Sequence, residues 1–307
     1  MPEIKELQYW IDGGWQRSTT DKYMDCYDPS TGEVIARAPK CTSEEVEATI
    51  ASAKKAYPAW SNTPPNKRVQ VLFRMKALLD KHLDELTLMV AKENRKVLDE
   101  AMGDVLKVTE VVEFACGITH LMKGPALMNC SVGYDTTQYM ESIGVFAGIA
   151  PWNFPAMIPM GWMAPLCIAT GNTMIIKAAS FCPETSMRIM ELWAEAGLPP
   201  GVLNLITCSR NESEIFLRHP DVKGISFVGS TSVGRHIYEV AAANGKRVQC
   251  LTEAKNHALV LKDAALERTA RGIINSAFGC AGERCMALPV IVVEEEIADE
   301  LVGLLKE

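Results

Sequence analysis

The sequence lacks the closely spaced cysteines and histidines on which metal and redox sites depend. It has no C-x-x-C pair, and its five histidines supply no pair at ligand spacing. Ten cysteines are present, but they are scattered irregularly along 307 residues, a chain large enough to fold without disulfides. We therefore predict that the protein has no metal site and works in the reduced environment of the cytoplasm.

An excess of basic residues is missing as well. The chain has 31 lysines and arginines against 38 aspartates and glutamates, a net charge of -7 and a pI near 5.4. This balance argues against nucleic acid or an anionic membrane as a partner. The N-terminal stretch MPEIKELQYW has no basic segment followed by an apolar one, so we predict no secretion signal.

Charged residues are absent from residues 142–176, a run long enough to cross a bilayer. Prolines and glycines interrupt this run, and Asn153 and Asn172 would have to lie in lipid. We therefore predict a buried strand, a turn and a buried helix here, and no membrane span.

The N-terminal part of the chain predicts one hairpin and several helices. QYWIDGGW (8–15) has Asp-Gly at a turn between two apolar runs, which is typical of a hairpin. Thr42 and Glu45 have capping-box spacing and predict a helix that continues to about Tyr57. Apolar residues spaced by three and four predict a long amphipathic helix over 67–94, and a second helix is predicted over 99–122.

After residue 142 the pattern alternates between short apolar strands and helices. The predicted strands are 144–150, 173–177, 201–206, 223–229, 247–252, 257–263 and 289–294. The predicted helices are 184–197, 232–243 and 266–280. This alternation predicts an α/β fold with a parallel sheet covered on both faces, and sites in such folds lie at the carboxyl ends of strands.

Three of these strand ends carry candidate site residues. Asn153 lies in the turn PWNFP (151–155), where two prolines restrict the backbone, so its amide either satisfies the turn or donates to an oxyanion. FVGSTSVG (227–234) leads from a strand into a helix through small residues, as a phosphate site or as a plain serine N-cap. Lys177 ends its strand and reaches either solvent or a cofactor ribose.

The stretch GCAGERCMA (279–287) carries a fourth candidate. Cys280 falls at the end of an apolar helix, where a small buried thiol is expected. Cys285 lies in the loop beyond that helix, beside Arg284, whose guanidinium favours the reactive thiolate. This setting makes Cys285 the strongest candidate nucleophile among the ten cysteines.

Together these motifs resemble the aldehyde dehydrogenase superfamily. PWNFP, the strand end at Lys177, FVGSTSVG and the Cys285 loop occur in the order and at the spacing of that family, over the whole chain. Three further stretches, GKRVQ, LTEAKNHALVL and FGCAGERCMAL, look most like its CoA-acylating branch, the methylmalonate-semialdehyde dehydrogenases. The resemblance implies the aldehyde dehydrogenase fold, with a Rossmann-like cofactor domain.

The resemblance also implies a role for each matching residue. Cys285 would attack the aldehyde, and the Asn153 amide with the Cys285 backbone N–H would hold the oxyanion; hydride then passes to NAD and leaves a thioester on Cys285. The implied cofactor-binding residues are Ala150, Trp152, Lys177, Ser180, Phe181, Gly229, Ser230 and Thr252.

The general-base glutamate of the hydrolytic members is absent from this sequence. Those members place a general-base glutamate at the position of Leu251, so water attack on the thioester is expected to be slow here and coenzyme A to accept the acyl group. The family reaction ends in loss of carbon dioxide and release of propionyl-CoA or acetyl-CoA. An alternative is a hydrolytic enzyme in which Glu253, on the same strand face as Leu251, is a displaced base.

Other departures concern the substrate and the cofactor. The subgroup binds the substrate carboxylate with two arginines; Arg284 matches one, and Lys107 stands at the other and lacks the bidentate fork. Ser180 replaces a glutamate near the cofactor ribose, which removes a repulsion against the 2′-phosphate of NADP, although NAD remains the predicted cofactor.

The predicted domains follow the same resemblance. Residues 1–121 and 142–253 form the cofactor domain, 122–141 a projecting hairpin for assembly into a homodimer or homotetramer, and 254–307 the start of the catalytic domain. Family members continue well beyond the position of Glu307. The chain is therefore expected to be a fragment or to work in an unusual assembly, and a non-catalytic nucleotide-binding fragment is a further alternative.

Overall fold

The architecture was established from a computed structural model, which describes residues 4–307. The strands in this range are β1 (Lys5–Glu6), β2 (Tyr9–Ile11), β3 (Gly14–Gln16), β4 (Tyr23–Tyr27), β5 (Val34–Pro39), β6 (Ala126–Ser131), β7 (Tyr134–Thr137), β8 (Val145–Ile149), β9 (Thr173–Lys177), β10 (Leu203–Ile206), β11 (Val222–Gly229), β12 (Arg247–Thr252), β13 (His257–Val260) and β14 (Val290–Val293).

The helices connect and cover these strands. They are α1 (Ser43–Ser61), α2 (Pro65–Lys81), α3 (Leu83–Asn94), α4 (Leu98–Cys116), α5 (Ile118–Leu121), α6 (Ala164–Ala169), α7 (Glu184–Glu195), α8 (Arg210–Arg218), α9 (Thr231–Ala243), α10 (Leu266–Phe278) and α11 (Glu295–Lys306), with a π-helical segment at Met157–Met163 and a 3₁₀ turn at Gly279–Gly282.

The described residues form two compact units that meet in sequence at Leu251 and Thr252. Residues 1–3, which the predicted cofactor domain includes, lie outside the described range. The first unit is built on a seven-stranded sheet with the order β12-β11-β8-β9-β10-β2-β3, in which β11, β8, β9 and β10 are parallel. The second unit pairs β13 with β14 in parallel and packs α10 against α11.

The central sheet is apolar on both faces, as predicted for a parallel sheet. Met174 and Ile176 of β9 pack into one buried cluster, and Ile175, which points to the opposite face, packs into another. Helices cover both clusters, so β9 is buried except at Lys177, its last residue. The polar end of this strand therefore marks the edge of the sheet at which a site can open.

The predictions for the hairpin turn, the capping box and the uncharged run 142–176 are confirmed. Asp12 and Gly13 turn the hairpin between β2 and β3 with φ of 51° and 81°, and Thr42 and Glu45 form the capping box of α1. No described helix is both long enough and apolar enough to span a bilayer. The uncharged run 142–176 instead forms β8, the π-helical segment, α6 and β9.

Three predicted helices are divided or end earlier. The helix over 67–94 is two helices that meet at His82, which ends α2 and begins α3; the apolar spacing continues through this break and so could not show it. The helix over 99–122 stops at Gly117 and resumes as α5. The helix over 266–280 ends at Phe278, because Cys280 and Ala281 adopt left-handed backbone angles.

Residues 126–137 form a separate two-stranded sheet. β6 and β7 pair only with each other, antiparallel, and every residue of both strands is exposed. Its exposed apolar side chains include Leu127, Met128, Val132 and Tyr134. This is the hairpin of the sequence prediction, and its role in subunit contact stays a prediction.

Candidate active site

The carboxyl ends of β8, β9 and β11 lie side by side in the central sheet. Lys177 of β9 is in register with Ile149 of β8, and Ile149 is in register with Phe227 of β11. Because these strands are parallel, the loops that follow them leave the sheet at the same edge. Neighbouring strands therefore carry Lys177 and the starts of the loops at Ala150 and Ser230.

A cavity of about 380 Å³ opens at this edge of the sheet. Five of the predicted cofactor-binding residues line it: Ala150, Trp152, Lys177, Gly229 and Ser230. Ser230 also precedes α9, whose N-terminal amide groups and dipole favour an anion. A lysine side chain and a helix N-terminus thus line the same cavity.

The two cations that line this cavity, Lys177 and Arg210, are not paired with Glu214, the carboxylate of the lining. Burial lowers the pKa of Lys177 below its ordinary value, because desolvation disfavours the ammonium form. Neither Lys177 nor Arg210, which also lines the cavity, forms an ion pair within residues 4–307. Glu214, the acid of the lining, is hydrogen-bonded to His236 at 2.8 Å and paired with Arg218 at 2.8 Å. An anionic ligand would supply the missing counter-charge.

The sequence reasoning missed the helix that brings Arg210 to the cavity. α8 begins directly after Ser209, whose hydroxyl accepts a hydrogen bond from the amide of Asn211 and is also hydrogen-bonded to Glu212. The spacing of Ser209 and Glu212 is that of a capping box, so a signal for this helix was present.

Ser180 and Phe181 follow β9 but are not among the residues that line the cavity. Ser180 is buried and its carbonyl accepts a hydrogen bond from the thiol of Cys26 at 3.2 Å, whereas Phe181 is exposed. Beyond them, the carboxylate of Glu93 accepts the first amide N–H groups of α7, those of Glu184 and Thr185. Burial raises the pKa of Glu93 to about 7.

Asn153 lies half-buried in a turn whose neighbours are anchored on both sides. The carbonyl of Trp152 accepts from Asn94 Nδ2 at 3.2 Å and from the Cys182 thiol at 3.1 Å. The carbonyl of Pro155 accepts from the Ser186 hydroxyl at 2.6 Å. The backbone that carries the Asn153 amide is therefore held by side chains from three other segments.

Lys107 lies on α4, the helix that packs against the π-helical segment following this turn. Its ammonium is exposed and pairs with Glu110 at 2.6 Å. The two elements approach closely, since a Cβ atom added to Gly161 would be 3.1 Å from the Cα atom of Val108. The helix that carries Lys107 therefore packs directly against the segment that follows Asn153.

The second unit holds Cys285 in a loop between α10 and β14, where the residue is half-buried. The side-chain amide of Asn256 donates to the carbonyl oxygens of Cys285 and Ala287, at 3.0 and 2.8 Å. These two hydrogen bonds hold the backbone on both sides of Met286. Asn256 was not predicted as a site residue, although it belongs to LTEAKNHALVL.

Arg284 contacts the residues that precede this loop. Its Nε donates to the buried Sγ of Cys280 at 3.2 Å, and its guanidinium lies so close to Gly279 that an added Cβ atom would be 2.8 Å from Nη1. The guanidinium that we expected to act on the Cys285 thiol thus has Cys280 as a hydrogen-bond partner. A role of Arg284 in substrate binding stays a prediction.

Glu253 does not lie on the strand that carries Leu251, contrary to the prediction. β12 ends at Thr252, so Glu253 lies beyond the strand, where the two-residue alternation of side chains no longer applies. Leu251, Thr252 and Glu253 are all exposed. A role of Glu253 as a displaced base therefore has no support from strand geometry.

The chain matches one known protein family over most of its length. The model of the aldehyde dehydrogenase family matches residues 15–307. The chain belongs to the aldehyde dehydrogenase family. This result confirms the resemblance drawn from PWNFP, FVGSTSVG and the Cys285 loop, and it confirms the predicted fold class.

The relatives of this aldehyde dehydrogenase family member include malonate-semialdehyde dehydrogenases. One from Geobacillus kaustophilus (strain HTA426) is 47% identical over 307 residues, which make up 100% of this chain and 63% of that relative. Another, from Lacticaseibacillus casei, is 46% identical over 300 residues, 98% of this chain and 61% of its own length. The chain thus spans less than two thirds of the length of these relatives.

Solved structures of aldehyde dehydrogenases match the fold closely. A protein from Sinorhizobium meliloti 1021, assigned as a methylmalonate-semialdehyde dehydrogenase and complexed with NAD, has a TM-score of 0.96 and 39% identity, covering 100% of this chain and 62% of its own. The methylmalonate-semialdehyde dehydrogenase of Oceanimonas doudoroffii has a TM-score of 0.95 and 39% identity, over 98% and 62% of the two chains.

Proposed function

We propose that the protein oxidises malonate semialdehyde or methylmalonate semialdehyde with NAD and coenzyme A, giving acetyl-CoA or propionyl-CoA and carbon dioxide. The observation that carries this proposal is the 47% identity to a malonate-semialdehyde dehydrogenase, which extends over the whole chain and includes the Cys285 loop. The proposed activity belongs to the complete protein, because this chain covers 63% of that relative.

Cys285 is the proposed nucleophile. Its sulfur adds to the aldehyde carbon, and the negative charge that develops on the aldehyde oxygen needs fixed hydrogen-bond donors. The side-chain amide of Asn153 and the backbone N–H of Cys285 are the proposed donors. Two features support these roles: the anchored turn around Asn153, and the hydrogen bonds from Asn256 that hold the Cys285 backbone.

The cavity beside β9 is the proposed site of the dinucleotide. The uncompensated charges of Lys177 and Arg210 and the N-terminus of α9 at Ser230 favour phosphate groups. Ala150, Trp152 and Gly229 supply the remaining lining that we assign to the cofactor, and Ser180, Phe181 and Thr252 keep their predicted roles by resemblance to the family. NAD bound in this cavity would supply the hydride acceptor.

The residue at position 251 supports transfer of the acyl group to coenzyme A. An aliphatic side chain cannot take a proton from water, so hydrolysis of the Cys285 thioester is slow at this site. A thiol attacks a thioester without that assistance more readily than water does. Leu251 is therefore the residue on which the acylating assignment depends.

Arg284 and Lys107 are the proposed partners of the substrate carboxylate. Both are basic side chains, but only Arg284 presents a bidentate fork. Lys107 is at present paired with Glu110 on the surface of α4, and this exposed pair is weak enough to exchange for a substrate. The exposed hairpin of β6 and β7 is the proposed contact for a homodimer or homotetramer.

The test uses protein expressed from the complete reading frame, with malonate semialdehyde and NAD, in the presence and absence of coenzyme A. We expect NADH and acetyl-CoA to form together, and Cys285→Ala to abolish both. Cys116→Ala is the matched control, since Cys116 is also a half-buried cysteine but lies at the end of α4.

Two results would contradict the proposal. Equal rates of free acid formation with and without coenzyme A would indicate a hydrolytic enzyme, and loss of that acid in Glu253→Gln would then identify Glu253 as the base. Binding of NAD without any NADH formation from aldehyde would indicate a nucleotide-binding protein without this catalysis.

A further inference from the structure

A fully buried ion pair lies under the turn that carries Asn153. The Nζ atom of Lys96 is 2.8 Å from Oδ2 of Asp104, and the two side chains are 1% and 0% exposed. Replacing such a pair with well-packed apolar side chains generally preserves or raises stability, because desolvation of the two charges offsets their attraction. Stability alone therefore does not explain why the pair is there.

Both members of the pair reach the segment on either side of Asn153. The Lys96 ammonium lies 3.8 Å from the centroid of the Phe154 ring, a cation–π contact that is strong when desolvated. The second carboxylate oxygen of Asp104 accepts the backbone N–H of Met157 at 2.7 Å. The pair thus fixes one side chain next to Asn153 and one amide shortly after it.

The residue before Asn153 in the chain is held by neutral hydrogen-bond donors. Asn94 and Cys182 donate to the carbonyl of Trp152, directly before Asn153. Asn153 accordingly follows a residue whose carbonyl is anchored and precedes a residue whose ring is anchored. A donor in such a frame keeps its direction when charge develops on a substrate, which is the condition for stabilising an oxyanion.

We propose that Lys96 and Asp104 are positioning residues that hold the Asn153 amide in its oxyanion-binding orientation. This inference rests on the proposed function, in which Asn153 is the oxyanion donor. A displacement of about 1 Å at a catalytic group can lower a rate about a hundredfold. The ion pair therefore acts on the rate of the chemical step through Asn153, and not through cofactor binding.

A double-mutant cycle tests the coupling between Lys96 and Asn153. The rate of NADH formation in a single turnover at saturating aldehyde is measured for Lys96→Met, Asn153→Ala and the double variant. Loss of an oxyanion donor lowers this rate about 100–1000-fold, and this is the decrease expected for Asn153→Ala. We expect Lys96→Met to lower it about 30-fold in the native background and less than about 3-fold once Asn153 is alanine.

Two controls separate positioning from general damage to the fold. Lys92→Met, an exposed lysine near the end of α3, should leave the rate unchanged. The dissociation constant of NAD should be the same in Lys96→Met as in the native protein. If Lys96→Met does not fold, Phe154→Leu, which removes only the ring above the ammonium, replaces it in the cycle.

Hydrogen exchange gives a readout that needs no activity. Amides in residues 152–157 should exchange about tenfold faster in Lys96→Met or Phe154→Leu than in Lys92→Met. The inference is overturned if these amides keep their native exchange rates, or if the lysine substitution lowers the turnover rate equally in both Asn153 backgrounds. A native protein without aldehyde oxidation would refute the proposed function instead, and the exchange result would still report on the anchoring of the turn.

Discussion

Removing the carboxylate of Asp104 should destabilise the protein far more than removing that of Glu110, although both acids lie on α4 and pair with a lysine. The N–O distance is 2.8 Å in the Lys96–Asp104 pair and 2.6 Å in the Lys107–Glu110 pair. The side chains of the second pair, however, are 53% and 60% exposed, whereas those of the first are buried. The two pairs match in chemistry and distance and differ in burial.

The difference in burial sets the expected magnitudes. Breaking a buried ion pair by removing one partner costs about 3–5 kcal/mol, because the remaining charge stays in a medium that solvates it poorly. Asp104→Ala also leaves the Met157 N–H without its acceptor, a further loss of about 1–3 kcal/mol. Glu110→Ala removes an exposed, solvent-screened pair, which is worth less than about 1 kcal/mol.

Urea unfolding followed by tryptophan fluorescence gives the free energy of unfolding of both variants. We expect Asp104→Ala to lose at least about 3 kcal/mol more than Glu110→Ala. A double variant, Lys96→Met with Asp104→Leu, removes both charges and should recover the part of the loss that comes from the unpaired charge, but not the part that comes from the Met157 N–H. Losses for Asp104→Ala and Glu110→Ala within about 1 kcal/mol of each other would refute the reasoning, because burial would then not control the strength of the pair.

Three further predictions concern single side chains. Burial raises the pKa of Glu93 from 4.5 to about 7, so the free energy of unfolding should fall by about 3 kcal/mol as the pH rises from 4.5 to 7, because in this range only the unfolded carboxyl ionises freely. The urea midpoint of Glu93→Gln should not fall over this pH range. An equal fall in the variant would contradict the assignment to Glu93. Leu251→Glu should raise acid formation without coenzyme A at least about tenfold in a product assay, because it restores a base at an exposed position; acid formation at the native rate would count against the role of position 251. Ser180→Glu should raise the KM for NADP about tenfold relative to that for NAD, by repulsion of the 2′-phosphate; equal changes for both cofactors would place the ribose elsewhere.

Local structure followed closely from local sequence. The hairpin turn at Asp12-Gly13, the capping box at Thr42 and strand β9 all lie where residue type and spacing predicted them. The same holds for the alternation of strands and helices, which predicted a parallel sheet covered on both faces. The turn and the cap depend on contacts between residues that are close in the chain, and each strand or helix shows in the short-range spacing of its apolar residues, so short-range patterns report them directly.

Periodicity failed where a helix is interrupted without losing its apolar face. The spacing of apolar residues is continuous through His82, so α2 and α3 read as one helix. Cys280 and Ala281 adopt left-handed angles that non-glycine residues rarely accept, so no propensity rule predicts the turn that ends the helix before them. α8 is different, because Ser209 and Glu212 carried a capping signal.

The sequence by itself determined which side chains were available for chemistry: a cysteine in a loop, an amide between two prolines, and a lysine at a strand end. Tertiary structure decided what those side chains meet. Lys177 acquires a lowered pKa and a cavity only because parallel strands bring distant loops to one edge. The pairing of Asp104 with the amide of Met157, 53 positions apart in the chain, likewise exists only after α4 has packed against the segment beyond the Asn153 turn. Burial and counter-charge are properties of packed neighbours, and no stretch of sequence contains them.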